Sequence, residues 1–252
     1  MRTLVLGDVH GRIEALREVL IKSKFEYDND KLILLGDLAD GGYNTYDVVE
    51  ELLKIKNIVF IIGNHDIWFM QHIQSGWAEE IWLTQGGINT IKSYKGSVLP
   101  EDHVSGRIYV VMQNARIPKT HKEFFDKAKP YHIEDNMLFV HGGFDARHGK
   151  KVEDADIQLL TWDRDLIEYA YEGNKIPGYD WIFVGHTTTQ GYSWDLEPIR
   201  FQNLIMCDVG AGWTGKLCIM DIHSKEHWLS EIQNPAINLN TKAIYDKLGG
   251  KK

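Results

Sequence analysis

Cysteine is nearly missing from this chain: Cys207 and Cys218 are its only two. That leaves no material for a disulfide framework, and both read as ordinary reduced core thiols flanking a hairpin. No apolar run approaches the roughly 20 residues a membrane-spanning helix needs. Met1-Arg2-Thr3 leads straight into a strand, so no signal peptide is expected. These features together point to the cytoplasm. A basic excess is also missing, since 28 Lys and Arg against 36 Asp and Glu leave a formal net charge of −8. Long nucleic acid is therefore not an expected partner, whereas a small phosphorylated substrate is compatible with the charge. There is no nucleophilic Ser-His-Asp pattern, P-loop or dinucleotide fingerprint, and no repeat, low-complexity tract or linker.

What remains is an ordinary globular composition, 43% hydrophobic and 25% charged over 252 residues, enough to bury a real core. Short apolar runs read as buried strands: Thr3-Leu4-Val5-Leu6, residues 31–35, 58–62, 137–140 and 181–184. Residues 12–24, with Ile13, Leu16, Val19 and Leu20 at helical spacing, and residues 43–55 form helices between the first three strands. A β-α-β-α-β opening predicts parallel pairing. Residues 67–130 break the alternation. They read as a largely helical cap insert overhanging the site, with a strand over 107–114 and a helix over 119–129. Beyond residue 131, strands around 131–134, 204–207, 217–221 and 226–229 predict a second sheet packed on the first. The expected architecture is an α/β four-layer sandwich, two mixed sheets flanked by helices. A single domain covers residues 1–234 and a polar tail residues 235–252.

Each early strand runs into a glycine-rich turn that carries metal-type ligands. The blocks are Gly7-Asp8-Val9-His10-Gly11, Gly36-Asp37-Leu38-Ala39-Asp40-Gly41-Gly42 and Gly63-Asn64-His65-Asp66, followed by Val140-His141-Gly142-Gly143 and Val184-Gly185-His186-Thr187. Asp8 and His10 are two apart, so at a strand end both point one way. Asp37 has two oxygens and can serve two cations. Asn64 adds a carbonyl oxygen, and His141 and His186 add imidazoles. Such mixed O/N ligation suits Mn, Fe or Zn, with Ni a further alternative. Asp66 reads as a helix cap, and Asp208 as a carboxylate supporting the site from the second sheet. His72, His103, His121, His132, His148, His223 and His227 fall outside any ligand spacing.

In this order and strand context the blocks resemble the calcineurin-like metallophosphoesterases, and within them the phosphoprotein phosphatase superfamily of the bacteriophage lambda and bacterial serine/threonine type. Gly86-Gly87 with Ser93-Tyr94, Ile117-Pro118…Phe124, Leu160-Thr161-Trp162-Asp163-Arg164-Asp165 and Asp208-Val209-Gly210-Ala211-Gly212 extend the likeness. The resemblance implies two divalent metal ions, Mn first: Asp8, His10 and bridging Asp37 on one, Asp37, Asn64, His141 and His186 on the other. It implies a hydroxide between the cations attacking a phosphomonoester, His65 protonating the leaving group, and Asp40 as its acidic partner. Asn64 and Arg164 are expected at the phosphate, with Arg12 as a substitute donor. The substitute matters because the family's Arg after Asp40 is Gly41 here. A protein serine/threonine phosphatase is the expected function. Gly41 favours the alternative, a dinucleoside polyphosphate hydrolase or other nucleotide phosphodiesterase. An inactive metal-binding scaffold is the non-enzymatic alternative.

Overall fold

The computed structural model describes residues 1–97, 107–109 and 117–231. In chain order these hold β1 (Thr3–Leu6), α1 (Ile13–Lys22), β2 (Lys31–Leu34), α2 (Thr45–Leu52), β3 (Asn57–Phe60), α3 (Asn64–Ser75), β4 (Trp77–Glu79), α4 (Glu80–Trp82), α5 (Ile88–Ser93), β5 (Arg107–Tyr109) and α6 (Lys119–Phe125). The second half adds β6 (Tyr131–Glu134), β7 (Met137–Val140), α7 (Ile157–Trp162), α8 (Asp165–Tyr171), β8 (Trp181–Val184), β9 (Ile199–Phe201), β10 (Leu204–Met206), β11 (Cys218–Asp221) and β12 (His227–Leu229).

Two five-stranded sheets form, ordered β12-β11-β1-β2-β3 and β6-β7-β8-β10-β9. β1, β2 and β3 pair in parallel, as the alternating opening predicts, while β11 runs antiparallel to β1. In the second sheet β7, β8 and β10 are parallel, with antiparallel β6 and β9 at the edges. The central strands are apolar throughout because both their faces are covered. Val5, Ile33, Phe139 and Phe183 point into the layer between the sheets. Their neighbours Leu4, Leu6, Leu32 and Leu34 face the helices outside the first sheet. Leu138, Val140, Ile182 and Val184 face α7 and α8 outside the second. The result is helix, sheet, sheet, helix, in four layers.

Three expectations need correction. Cys207 and Cys218 do not flank a hairpin: Cys207 follows β10 of the second sheet and Cys218 opens β11 of the first. The chain crosses between sheets there, and both thiols are buried and unpaired in the layer between them. The second half is accordingly not confined to the second sheet, since β11 and β12 return to the first. Within residues 67–130, β4 and β5 make a small antiparallel ribbon, and Phe69, Trp82, Tyr94, Phe124 and Phe125 lie in the same core as α1 and α2. The rest of the strand expected over 107–114, His103 and the expected tail over 235–252 lie outside the described residues.

The inter-sheet layer is closely packed, with the rings of Phe139 and Phe183 stacked at 5.0 Å and 7°. Phe139→Ala opens a cavity there and is expected to cost about 3–5 kcal/mol, read as a lowered urea midpoint; a loss below about 1 kcal/mol would contradict this packing.

Candidate active site

The C-terminal ends of β1, β2, β3, β7, β8 and β10 lie along one rim, and a side chain singled out above leaves each of them. Four of those residues adopt left-handed backbone: His10 (φ 49°), Asp37 (φ 50°), Asp40 (φ 71°) and His186 (φ 61°). This region is unfavourable for side chains other than glycine, and such strain gathers at functional sites. Glycines let the loops close. A Cβ on Gly185 would collide with Asp8 Oδ1, and one on Gly63 with Asp37 Oδ1.

Asp37 is the hub. Its Oδ1 accepts from the His65 backbone N–H at 3.0 Å and lies 3.3 Å from His141 Nε2, while Oδ2 lies 3.7 Å from His10 Nε2. Asn64 Oδ1 is 3.1 Å from His141 Nε2 and 3.0 Å from His186 Nδ1. Two groups of side chains have donor atoms close enough for a shared cation, His10-Asp37-His65 and Asp37-His141-His186, and Asp37 belongs to both. Asp8 stands beside them, with Oδ2 accepting from the His186 backbone N–H at 2.9 Å.

The donor chemistry fits a cation. Nδ1 of His10 faces the Ala39 carbonyl at 3.1 Å, and Nδ1 of His141 faces that of Leu35 at 2.6 Å. A carbonyl only accepts, so both Nδ1 atoms carry protons; burial keeps His10 neutral, and its Nε2 lone pair is then aimed at Asp37 Oδ2. Lone pair facing carboxylate is repulsive unless a positive charge sits between them. Among the described residues, buried Asp8 Oδ1 and His186 Nε2 have no hydrogen-bond partner, an arrangement that costs stability unless something else satisfies them.

Burial sets the protonation here, modified by close charges. It raises Asp8 well above the carboxylate range, helped by Asp208, and lifts Asp208 to about 6 and Asp66 to about 7. It lowers His10 to about 4 and His186 to about 3. At Asp37, burial is outweighed by the imidazoles of His141, His65 and His10, and the carboxyl is held far below its usual value. Burial is likewise outweighed by Asp37 at His141, which rises to about 10. His65 is raised because Asp37 and the Asp40 hydrogen bond overcome desolvation.

His65 Nδ1 donates to Asp40 Oδ2 at 2.7 Å. Asp66 caps α3, with Oδ2 accepting from Gly63 N–H, and its Oδ1 accepts from Leu38 and Ala39 N–H. Asp208 Oδ1 accepts from Gly210 N–H, and the residue lines the cleft. That cleft, about 260 Å³, is also lined by His10, Asp37, Asn64, His65, His186 and exposed Arg164. No ion pair or hydrogen bond engages the Arg164 guanidinium among the described residues. Arg12 is the correction. It is buried and absent from the cleft wall, and its Nε and Nη2 donate to the carbonyls of Ala211 at 3.1 Å and Gly212 at 3.4 Å. It fastens the first loop to the segment that crosses from β10 to β11. Gly41 lines the cleft at φ 73°, where a side chain would be strained. Trp68 and Trp162 on the cleft wall, and Trp82 and Thr90 against Asp40, had no site role in the sequence reading. Thr90 stands inside the Gly86-Gly87…Ser93-Tyr94 run, which was the available signal.

A consequence follows for the protein stripped of divalent cations. An imidazole held at about 10 in the fold and near 6.5 when unfolded stabilises fully below about 6.5 and loses that contribution as pH rises towards 10. Asp66 at about 7 acts in the same sense. Lowered His10 and His186 oppose it only below about 6.5. Chelated protein is expected to melt progressively lower from pH 6.5 to 10, and cation-loaded protein much less so; parallel melting curves for the two forms would refute this.

A family model described as calcineurin-like phosphoesterase matches residues 1–198. Serine/threonine-protein phosphatase 2 of Salmonella typhimurium is 25% identical over 222 residues, spanning 86% of this chain and 91% of that protein. The asymmetrical bis(5'-nucleosyl)-tetraphosphatase of Oceanobacillus iheyensis is 24% identical over 247 residues, 90% of each chain. Among solved structures, a metallophosphoesterase from Sphaerobacter thermophilus superposes with a TM-score of 0.54 at 16% identity, covering 100% of this chain and 95% of the other, which speaks for the fold. The chain belongs to the calcineurin-like phosphoesterase family and is an enzyme of phosphoester hydrolysis.

Proposed function

We propose that this enzyme hydrolyses phosphomonoesters with alkoxide leaving groups, as a serine/threonine-type protein phosphatase in the cytoplasm. The observation that carries this reading is the pair formed by His65 and Asp40 at 2.7 Å, set beside the Asp37 hub. An alkoxide is a poor leaving group and must be protonated as it departs, whereas a phosphate leaving group needs little help. A retained proton donor therefore favours the ester of an alcohol.

Asp8, His10, Asp37, Asn64, His141 and His186 would hold two divalent cations, Mn first and Fe, Zn or Ni as alternatives. The chemistry such a pair supplies when bound is Lewis-acid activation of a phosphoryl group and of water. The chain's own residues do the rest. Arg164 offers two parallel donors to phosphoryl oxygens, joined by the Asn64 amide. His65, its Nδ1 tied to Asp40, presents Nε2 to the ester oxygen. As water adds to phosphorus and the P–O ester bond breaks, the Nε2 proton goes to the departing alcohol. The proton released by the water restores His65, and the products are inorganic phosphate and the alcohol. Trp68 and Trp162 stand edge to face at 5.4 Å in the cleft wall and keep bulk water from one side of it.

A second reading rests on Gly41. Without a second cleft arginine, and with a left-handed backbone that resists a side chain there, the site suits a substrate that brings its own extended charge, such as a dinucleoside polyphosphate. Metal-stripped enzyme reloaded with Mn²⁺ is expected to prefer p-nitrophenyl phosphate to its bis-ester. Diester preference would displace the phosphatase reading in favour of nucleotides. His65→Asn is expected to lose turnover on alkyl phosphates by about 10²-fold or more and much less on p-nitrophenyl phosphate; equal losses would remove His65 as the acid. Arg164→Ala is expected to lower kcat/KM about 10- to 100-fold, and unchanged kinetics would take Arg164 off the phosphate.

A further inference from the structure

Asp40 is fully buried, and His65 is only one of its partners. Its Oδ2 accepts from the Trp82 indole Nε1 at 2.8 Å as well as from His65. Its Oδ1 accepts from the Thr90 hydroxyl at 2.7 Å, and the Asp40 backbone N–H donates to that same hydroxyl at 2.8 Å. Thr90 therefore closes a ring on Asp40 that fixes the carboxylate plane relative to its own backbone. Trp82 then leaves Oδ2 a single open direction, which is taken by His65. Each of these is a hydrogen bond to an ionisable group, stronger and more directional than a neutral one.

Both donors come from the insert after β3, whose glycines let it approach. A Cβ on Gly86 would collide with the Gly41 backbone nitrogen, and one on Gly87 would stand 2.5 Å from the Trp82 ring. Ser93 Oγ donates to the Thr90 carbonyl at 2.7 Å and accepts from Tyr46 N–H at 3.3 Å, tying the segment to α2. The Gly-Gly-x-x-Thr-x-x-Ser-Tyr run is thus a clamp around the Asp40-Gly41 turn.

We infer that Trp82 and Thr90 are positioning residues for leaving-group protonation: from the insert they lock the Asp40 carboxylate, and through it the direction in which His65 faces the cleft. The inference rests on His65 being the acid, and the test separates the two. Trp82→Phe keeps an aromatic ring in this place and removes the N–H together with part of the bicyclic ring. It is expected to slow alkyl phosphate hydrolysis about 10-fold while changing p-nitrophenyl phosphate hydrolysis by less than about 2-fold. Added to His65→Asn, it is expected to cost nothing further, since a residue acting through another is silent once that other is gone. Thr90→Val should reproduce the selective loss and Thr90→Ser restore the wild-type profile. Equal losses on both substrates, or losses that add fully to those of His65→Asn, mean that Trp82 merely packs and overturn the inference. A selective loss in His65→Asn without one in Trp82→Phe sinks the inference and leaves the acid standing. If His65→Asn itself loses both substrates equally, the acid reading fails and the inference goes with it.

Discussion

Five carboxylates, Asp8, Asp37, Asp40, Asp66 and Asp208, are buried within one rim of this molecule, and their electrostatics dominate its construction. A buried anion without compensation shifts its pKa or unfolds the protein. Here the compensation is divided. Asp66 takes three backbone N–H groups and Asp40 three side-chain donors. Asp37 faces imidazoles, while Asp8 keeps one oxygen with no partner among the described residues. Asp40 and Asp66, whose oxygens are both answered by hydrogen bonds, are assigned to support. Asp37 and Asp8, which take one backbone N–H each and otherwise face imidazoles or no partner among the described residues, are those assigned to cations, whose own charge of about +4 would dominate the local field.

Much of this was legible in the sequence, for physical reasons that differ by element. The central strands could be read because burial on both faces demands continuous apolar runs, as in Thr3–Leu6 and Trp181–Val184. The ligand blocks could be read because a left-handed turn beside a crowded carboxylate leaves so few choices besides glycine. β9 and β4 were missed, since three residues are too few to establish a period, while β5, the partner of β4, falls where a strand was expected. The passage from Cys207 to Cys218 looked like a hairpin because local sequence says nothing about which sheet a strand joins. Arg12 read as a surface or phosphate-facing residue, because its partners, Ala211 and Gly212, lie about 200 positions away in the chain.

The insert illustrates a different limit. It read as a helical cap, and its Phe69, Trp82, Tyr94 and Phe125 belong to the first core. Composition could not reveal that one of these rings carries its N–H to the site. Ile81, Thr84, Gln85 and Gly86 line the cleft, so the same segment builds the core on one side and a wall of the site on the other. A substitution here that alters substrate choice is therefore hard to make without touching stability.

The site is drawn from both sheets: Asp8, His10, Asp37 and Asn64 from strand ends of the first, His141 and His186 from those of the second. Neither sheet alone holds a complete set of donors, so tight cation binding and the docking of one sheet on the other are thermodynamically the same event seen from two sides. A cation held by Asp37, Asn64, His141 and His186 would act as a rivet through the sandwich, and the availability of metal would then set how firmly the two sheets are joined as well as how fast the enzyme turns over.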